Sequence, residues 1–186
     1  YSGLWVFSRD RDFSGQLQRG ARVRVEGSLL EFYTLTELQL GREDDALQVL
    51  SQGPAPLPIL ISDPSRIADG GDLTEAFESV LVEVQNVSVR TTAPDCPRDF
   101  DMFVVSGELR IEDEVELSYE PSRGDFIGSA VGVLHFSFDT QKIIPRDDPG
   151  YCCWHIQLSV PLLMLLRIYF RRSALIRRNF LKKIIK

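Results

Sequence analysis

The amino-acid sequence predicts an all-β protein, and three observations carry that expectation. Apolar and polar residues alternate at period two through much of the first 148 positions, the spacing of strands whose side chains point to two faces in turn. Turn-forming residues punctuate these runs at Arg19-Gly20, Pro94-Asp95, Ser106-Gly107 and Arg123-Gly124, where glycine or proline sets the backbone. A weak internal repeat appears at an offset of 105 residues. It places Leu4 and Val6 on Leu109 and Ile111, Gly27 on Gly132, Leu29 on Leu134, and Leu38 on Ile143.

Taken in order, the elements begin with the run Leu4-Trp5-Val6-Phe7. Arg22 to Leu29 alternates cleanly, and a final strand of the first copy surrounds Leu38. Gly53-Pro54-Ala55-Pro56-Leu57-Pro58 is stiff and extended, and makes the best boundary in the chain. A short helix is expected over 73–77, with Asp72 as its N-cap and Glu75 three residues later. Strands follow near 79–90, 100–105, 109–111 and 131–136, and a last one near Ile143. Each copy thus reads as a strand, a loop, a long strand around a central glycine, and a closing strand. The second copy has two further strands ahead of these.

Five short strands, a long first one, and a glycine that lets a strand coil sharply fit the OB-fold, a small Greek-key barrel. A β-sandwich is the structural alternative. The expected division is a truncated OB-like unit at 1–52, a Pro/Gly-rich linker at 53–74, a complete OB-like barrel at 75–148, and a basic hydrophobic tail at 149–186. Tyr1 opens directly onto a strand pattern, with no initiator Met and no signal-peptide pattern, so it reads as a cut end.

Charge separates the tail from the rest. Residues 1–148 carry 27 acidic and 13 basic side chains, a charge of −14, whereas 149–186 carry eight basic side chains and no acidic one. No stretch reaches the roughly 18–20 continuous apolar residues of a membrane span. Residues 156–170 are apolar but broken by Pro161 and Arg167, and a basic face follows from Arg171 to Lys186. The tail is either a helical, basic amphipathic or tail-anchor segment that contacts a membrane surface through 156–186, or translated read-through or frameshifted sequence.

Several phrases resemble the OB-fold-like accessory domains of secreted bacterial nucleases, which accompany lamin-tail modules and endonuclease/exonuclease/phosphatase catalytic domains. They are Tyr1-Ser2-Gly3-Leu4-Trp5-Val6-Phe7, Val23-Arg24-Val25-Glu26-Gly27, Glu31-Phe32-Tyr33 with Thr36-Glu37-Leu38, Glu75-Ala76-Phe77-Glu78 with Leu81-Val82, and Pro145-Arg146-Asp147. Thr34 and Ser79 depart from the pattern, standing where glycine is expected. The resemblance implies an extracellular or bacterial cell-envelope location and an adjoining catalytic domain. That family's catalytic residues belong to the other domain, and none maps onto this chain.

The residues themselves offer little catalytic chemistry. There are two histidines, and no Gly-x-Ser-x-Gly, His-Glu-x-x-His, P-loop or Gly-x-Gly-x-x-Gly pattern. His135 is expected to be a partly exposed barrel residue. Three cysteines, Cys96, Cys152 and Cys153, have neither a disulfide framework nor zinc spacing. No cofactor is expected except calcium, for which Asp63, Asp69 and Asp72 around the Gly70-Gly71 turn are the candidate ligands; the alternative is an acidic, solubilising surface.

Trp5, Phe7, Phe32 and Tyr33, with Arg22 and Arg24, are the candidate contacts for single-stranded nucleic acid, by stacking and phosphate neutralisation. Aromatics spaced i, i+2 also serve as barrel core, and the −14 charge opposes nucleic acid. The expected function is therefore a non-catalytic accessory module that binds nucleic acid or another polymer weakly. The alternative is a structural spacer or protein-interaction module.

Overall fold

The computed structural model describes residues 3–8, 13, 16–42, 45–112, 120–146 and 150–151. The described residues are mostly β-strand, and the second part of the chain closes into a five-stranded barrel. Five strands form that barrel: β7 (Leu81–Thr91), β8 (Met102–Val105), β9 (Leu109–Glu112), β10 (Phe126–Ser137) and β11 (Thr140–Pro145). They are hydrogen-bonded in the order β7-β8-β9-β11-β10, and β10 returns to β7 to close the ring. In barrel numbering this is 1-2-3-5-4-1 with strands 3 and 5 parallel, the OB-fold arrangement. β6 (Ile59–Ile61) adds in parallel to the outer edge of β7, and β12 (Gly150–Tyr151) pairs with the start of β10.

The ring closes around the side chains that its strands turn inward. Val82, Val84, Val87 and Val89 of β7, Phe103 and Val105 of β8, and Leu109, Ile111, Ile127, Leu134 and Ile143 of the remaining strands form one buried cluster. α1 (Thr74–Phe77) caps it through Phe77. The expected helix is present, but Leu73 occupies the N-cap position and no side chain caps it. Asp72 is drawn away by Arg66, whose guanidinium donates to both its carboxylate oxygens at 3.0 and 2.7 Å.

The first part of the chain comprises β1 (Trp5–Ser8), β2 (Ala21–Glu26), β3 (Ser28–Phe32), β4 (Leu35–Leu40) and β5 (Ala46–Gln52). They form a three-stranded sheet, β1-β4-β3, and a two-stranded sheet, β2-β5. The 105-residue repeat is preserved in register. Parallel partners Trp5–Glu37 and Val6–Leu38 become Arg110–Lys142 and Ile111–Ile143. Antiparallel partners Ser28–Gln39 and Leu29–Leu38 become Val133–Ile144 and Leu134–Ile143. β1, β2-β3 and β4 are therefore a second copy of barrel strands 3, 4 and 5.

Two backbone features repeat at the same offset. Gly27 lies where β2 gives way to β3, and a Cβ there would come 2.6 Å from the Gln39 carbonyl oxygen; at Gly132 a Cβ would come 2.2 Å from that of Ile144. Both glycines let a strand bend hard against its neighbour. The two-residue turns Tyr33-Thr34 and Phe138-Asp139 all have positive φ, between 48° and 68°, the type I′ geometry that matches hairpin twist. Thr34 and Ser79, noted as standing in place of glycine, sit at φ 68° and 59°, so the backbone adopts the glycine-like conformation without the glycine.

Two boundaries differ from the sequence expectation. The stretch 53–74 contains β6, a 3-10 turn at Pro64–Arg66 and the start of α1, so it is structured along its second half. At the other end, the pairing of β12 with β10 runs two residues into the segment assigned to the tail. The tail expectation for 152–186 concerns residues outside those described.

Candidate functional site

The strand register decides which candidate residues share a face. Trp5 lies opposite Glu37, which lies opposite Leu30; Phe7 lies opposite Gln39, and Phe32 opposite Leu35. Cross-strand partners point to the same side of a sheet, so Trp5, Phe7, Leu30 and Phe32 share one face of β1-β4-β3. Within that face their environments differ. Trp5 is half-buried, its ring 4.5 Å from that of His135 in β10 and tilted by 39°. Phe7 is 39% exposed and Phe32 53%. Tyr33 is 80% exposed at the hairpin tip, with its ring edge-on to Phe32 at 4.8 Å.

Arg22 and Arg24 project from β2 in the separate two-stranded sheet, and both are exposed. The Arg24 guanidinium is 2.6 Å from the Glu26 carboxylate. Arg24 and Glu26 line a small open cleft with Ala46 and Gln48. The structure therefore gathers three of the four aromatics on one sheet, adds Tyr33 at its hairpin tip, and holds the two arginines on another. Arg24 is partly neutralised.

The three candidate metal ligands all have structural partners. Asp63 caps the 3-10 turn, accepting from the Ser65 backbone N–H at 3.0 Å and its hydroxyl at 2.7 Å. These bonds hold its carboxyl below the usual range. Asp72 is also held low, by the Arg66 guanidinium. Asp69 accepts from the Gln141 backbone N–H and ties the 69–71 turn to β11. Among the described residues, no three His, Cys, Asp or Glu side chains converge as a metal site.

The least anticipated feature is a buried polar cluster on the outer side of the closed barrel. His135 and Lys142 face each other across the β10–β11 pair, and both are buried. Lys142 lies 3.4 Å from the Glu112 carboxylate. Burial and then the Lys142 charge push the His135 imidazole down to about 4, so the ring is neutral at pH 7, and its Nδ1 is buried without a hydrogen-bond partner. His135, expected to be partly exposed, is instead buried, with the Trp5 ring against it. Glu37, beside Trp5 in the sheet, is buried as well, and burial raises its carboxyl. Glu78 accepts from the Thr36 backbone N–H at 3.2 Å and is raised chiefly by burial. These contacts dock the first sheet onto the closed barrel. The sequence places a tryptophan and a histidine in strand runs but carries no signal for their meeting.

The chain matches no protein-family model, no curated protein and no solved structure. Among the described residues no helix is long and apolar enough to cross a membrane.

Proposed function

We propose that this chain is a non-catalytic OB-fold accessory module of a secreted or envelope protein, holding an extended polymer for an adjoining catalytic domain. Single-stranded nucleic acid is the ligand class that the exposed groups suit best. The observation that carries this reading is the Phe32–Tyr33 pair, two aromatic rings presented to solvent at a hairpin tip, with Phe7 on the same sheet face as Phe32. Exposed rings stack on bases without regard to sequence. Arg22 and Arg24 supply the positive charge, and the surrounding acidic surface makes the affinity weak and steeply salt-dependent.

Fluorescence anisotropy with a labelled single strand, on the chain ended at Tyr151 so that the basic tail does not bind polyanions by itself, tests the reading. Binding at low salt is expected to weaken by about 1–3 kcal/mol when Phe32 and Tyr33 are replaced by Ala. It should lose part of its salt dependence in Arg22→Ala. An absence of binding at low salt, with and without calcium, rejects nucleic acid as the ligand.

A second reading, a protein-interaction module, is favoured by a different observation. Leu4 and Leu29 are 47% and 65% exposed on the inner face of the first sheet, and such contiguous apolar surface marks interaction sites.

A further inference from the structure

The repeat makes it possible to read that uncovered face against a finished version of itself. In the closed barrel, Leu109, Ile111, Ala130, Leu134 and Ile143 line the interior and are 0–2% exposed. Moved back by 105 residues, these positions are Leu4, Val6, Val25, Leu29 and Leu38, while one further lining residue, Ile127, falls on the exposed Arg22. All five are apolar, yet none is buried: Leu4, Val6 and Leu29 are 47%, 39% and 65% exposed, and Val25 and Leu38 are half-buried. The difference comes from two strands. β7 and β8 lie between β10 and β9 and cover the lining with Val82, Val84, Val87, Val89, Phe103 and Val105. Among the described residues, no strand fills the corresponding place between β3 and β1, so both present an open edge.

Backbone groups are affected as well as side chains. Leu134 donates its N–H to the Val80 carbonyl and accepts from the Ser79 N–H. Leu29 has the same register against β4 as Leu134 has against β11. Its N–H and C=O therefore point into the open edge. Exposed strand edges of this kind are templates for strand addition.

We propose that the first sheet is the acceptor for a β-hairpin of β7–β8 chemistry, which runs into β1 as β8 runs into β9 and closes a second five-stranded barrel. The occupant is defined by the finished copy. Its long strand alternates valine-like residues inward and lies antiparallel to β2-β3, crossing it at Gly27 as β7 crosses β10 at Gly132. Its short strand lies antiparallel to β1, with two apolar side chains completing the core. This proposal does not rest on the nucleic-acid reading, whose aromatic residues Phe7 and Phe32 lie on the opposite face of the sheet.

The test fuses a second copy of residues 75–105 directly ahead of Tyr1 in the full 186-residue chain, which reproduces the spacing of the closed barrel. Amide exchange at Leu29 is followed by NMR, and association state by sedimentation. Closure is expected to slow exchange at Leu29 by about 100-fold or more, as for amides that open only with a cooperative unit, in a monomer. A control fusion whose added hairpin carries Val84→Asp and Val89→Asp should leave Leu29 as fast as in the parent, because the same length of chain no longer buries an apolar face. Equal exchange in the parent and the unmodified fusion would overturn the proposal. So would a parent chain that is already dimeric with Leu29 protected, which would place a second copy on the face.

Discussion

Leu29 and Leu134 occupy the same position in two copies of one design. Each sits two residues beyond a bending glycine, and each is opposed by an aliphatic residue, Leu38 or Ile143. One is 65% exposed and the other fully buried. Sequence pattern and local pairing are therefore equal in the two regions, and burial is not. Alternation and a glycine bend suffice to build strands 3, 4 and 5 of the barrel. Closing the ring takes two more strands, and the large buried cluster forms where they are present, whereas Leu35 and Leu40 are the buried apolar side chains among the described residues of the first region.

The sharpest break in the comparison comes from truncating both leucines. Leu134→Ala removes a fully buried side chain and is expected to lower stability by about 2–5 kcal/mol. Leu29→Ala removes a mostly exposed one and should stay within about 0.5 kcal/mol. Urea unfolding of the two variants measures the contrast, and similar losses would show that the first sheet has a core of its own.

The contact between the two regions has a pH signature. His135 titrates near 6.5 when unfolded and near 4 when folded, so the unfolded chain binds more protons between those values. Its contribution is complete above about pH 6.5 and declines as pH falls toward 4, by up to about 3 kcal/mol. Glu37 and Glu78 act in the opposite sense, since their raised carboxyls favour the folded state on the acidic side of their own titration. His135→Phe retains a ring against Trp5 and loses the titration. The difference between parent and variant across pH 4–7 therefore isolates the histidine, and a constant difference would contradict its burial.

Smaller effects come from local backbone. Ser79 combines a positive φ with a buried hydroxyl that has no partner, so Ser79→Gly is expected to raise stability by about 1–2 kcal/mol. Thr34→Gly relieves the same backbone conformation in an exposed hairpin and should add about 1 kcal/mol. Arg66→Ala breaks an exposed ion pair and should leave the thermal midpoint nearly unchanged. Differential scanning calorimetry ranks the three.

Much of this architecture was legible in the residues. Period-two alternation and the Gly27/Gly132 match pointed to the barrel and its partial copy, because both are local consequences of strand geometry. β6 was not legible: three residues after a proline-rich run carry too little alternation to signal a strand, and its pairing with β7 is a long-range event. Asp72 read as a helix cap because capping is a local pattern, whereas the competing Arg66 side chain becomes a neighbour only after the 3-10 turn forms. His135 read as partly exposed for the same reason, since Trp5 reaches it from 130 positions away in sequence. Of the candidate interface, the sequence pointed to Phe7, Phe32, Tyr33 and the arginines as residues, but not to their division between two sheets.

Native-state amide exchange at the paired leucines tests the central claim most directly. The N–H of Leu134 is bonded to the Val80 carbonyl inside the closed ring and should exchange only with global unfolding. The N–H of Leu29 points into the open edge and should exchange orders of magnitude faster in the same sample. If Leu29 is protected to the same degree as Leu134 in the monomeric chain, the first region is closed and the comparison drawn above is wrong.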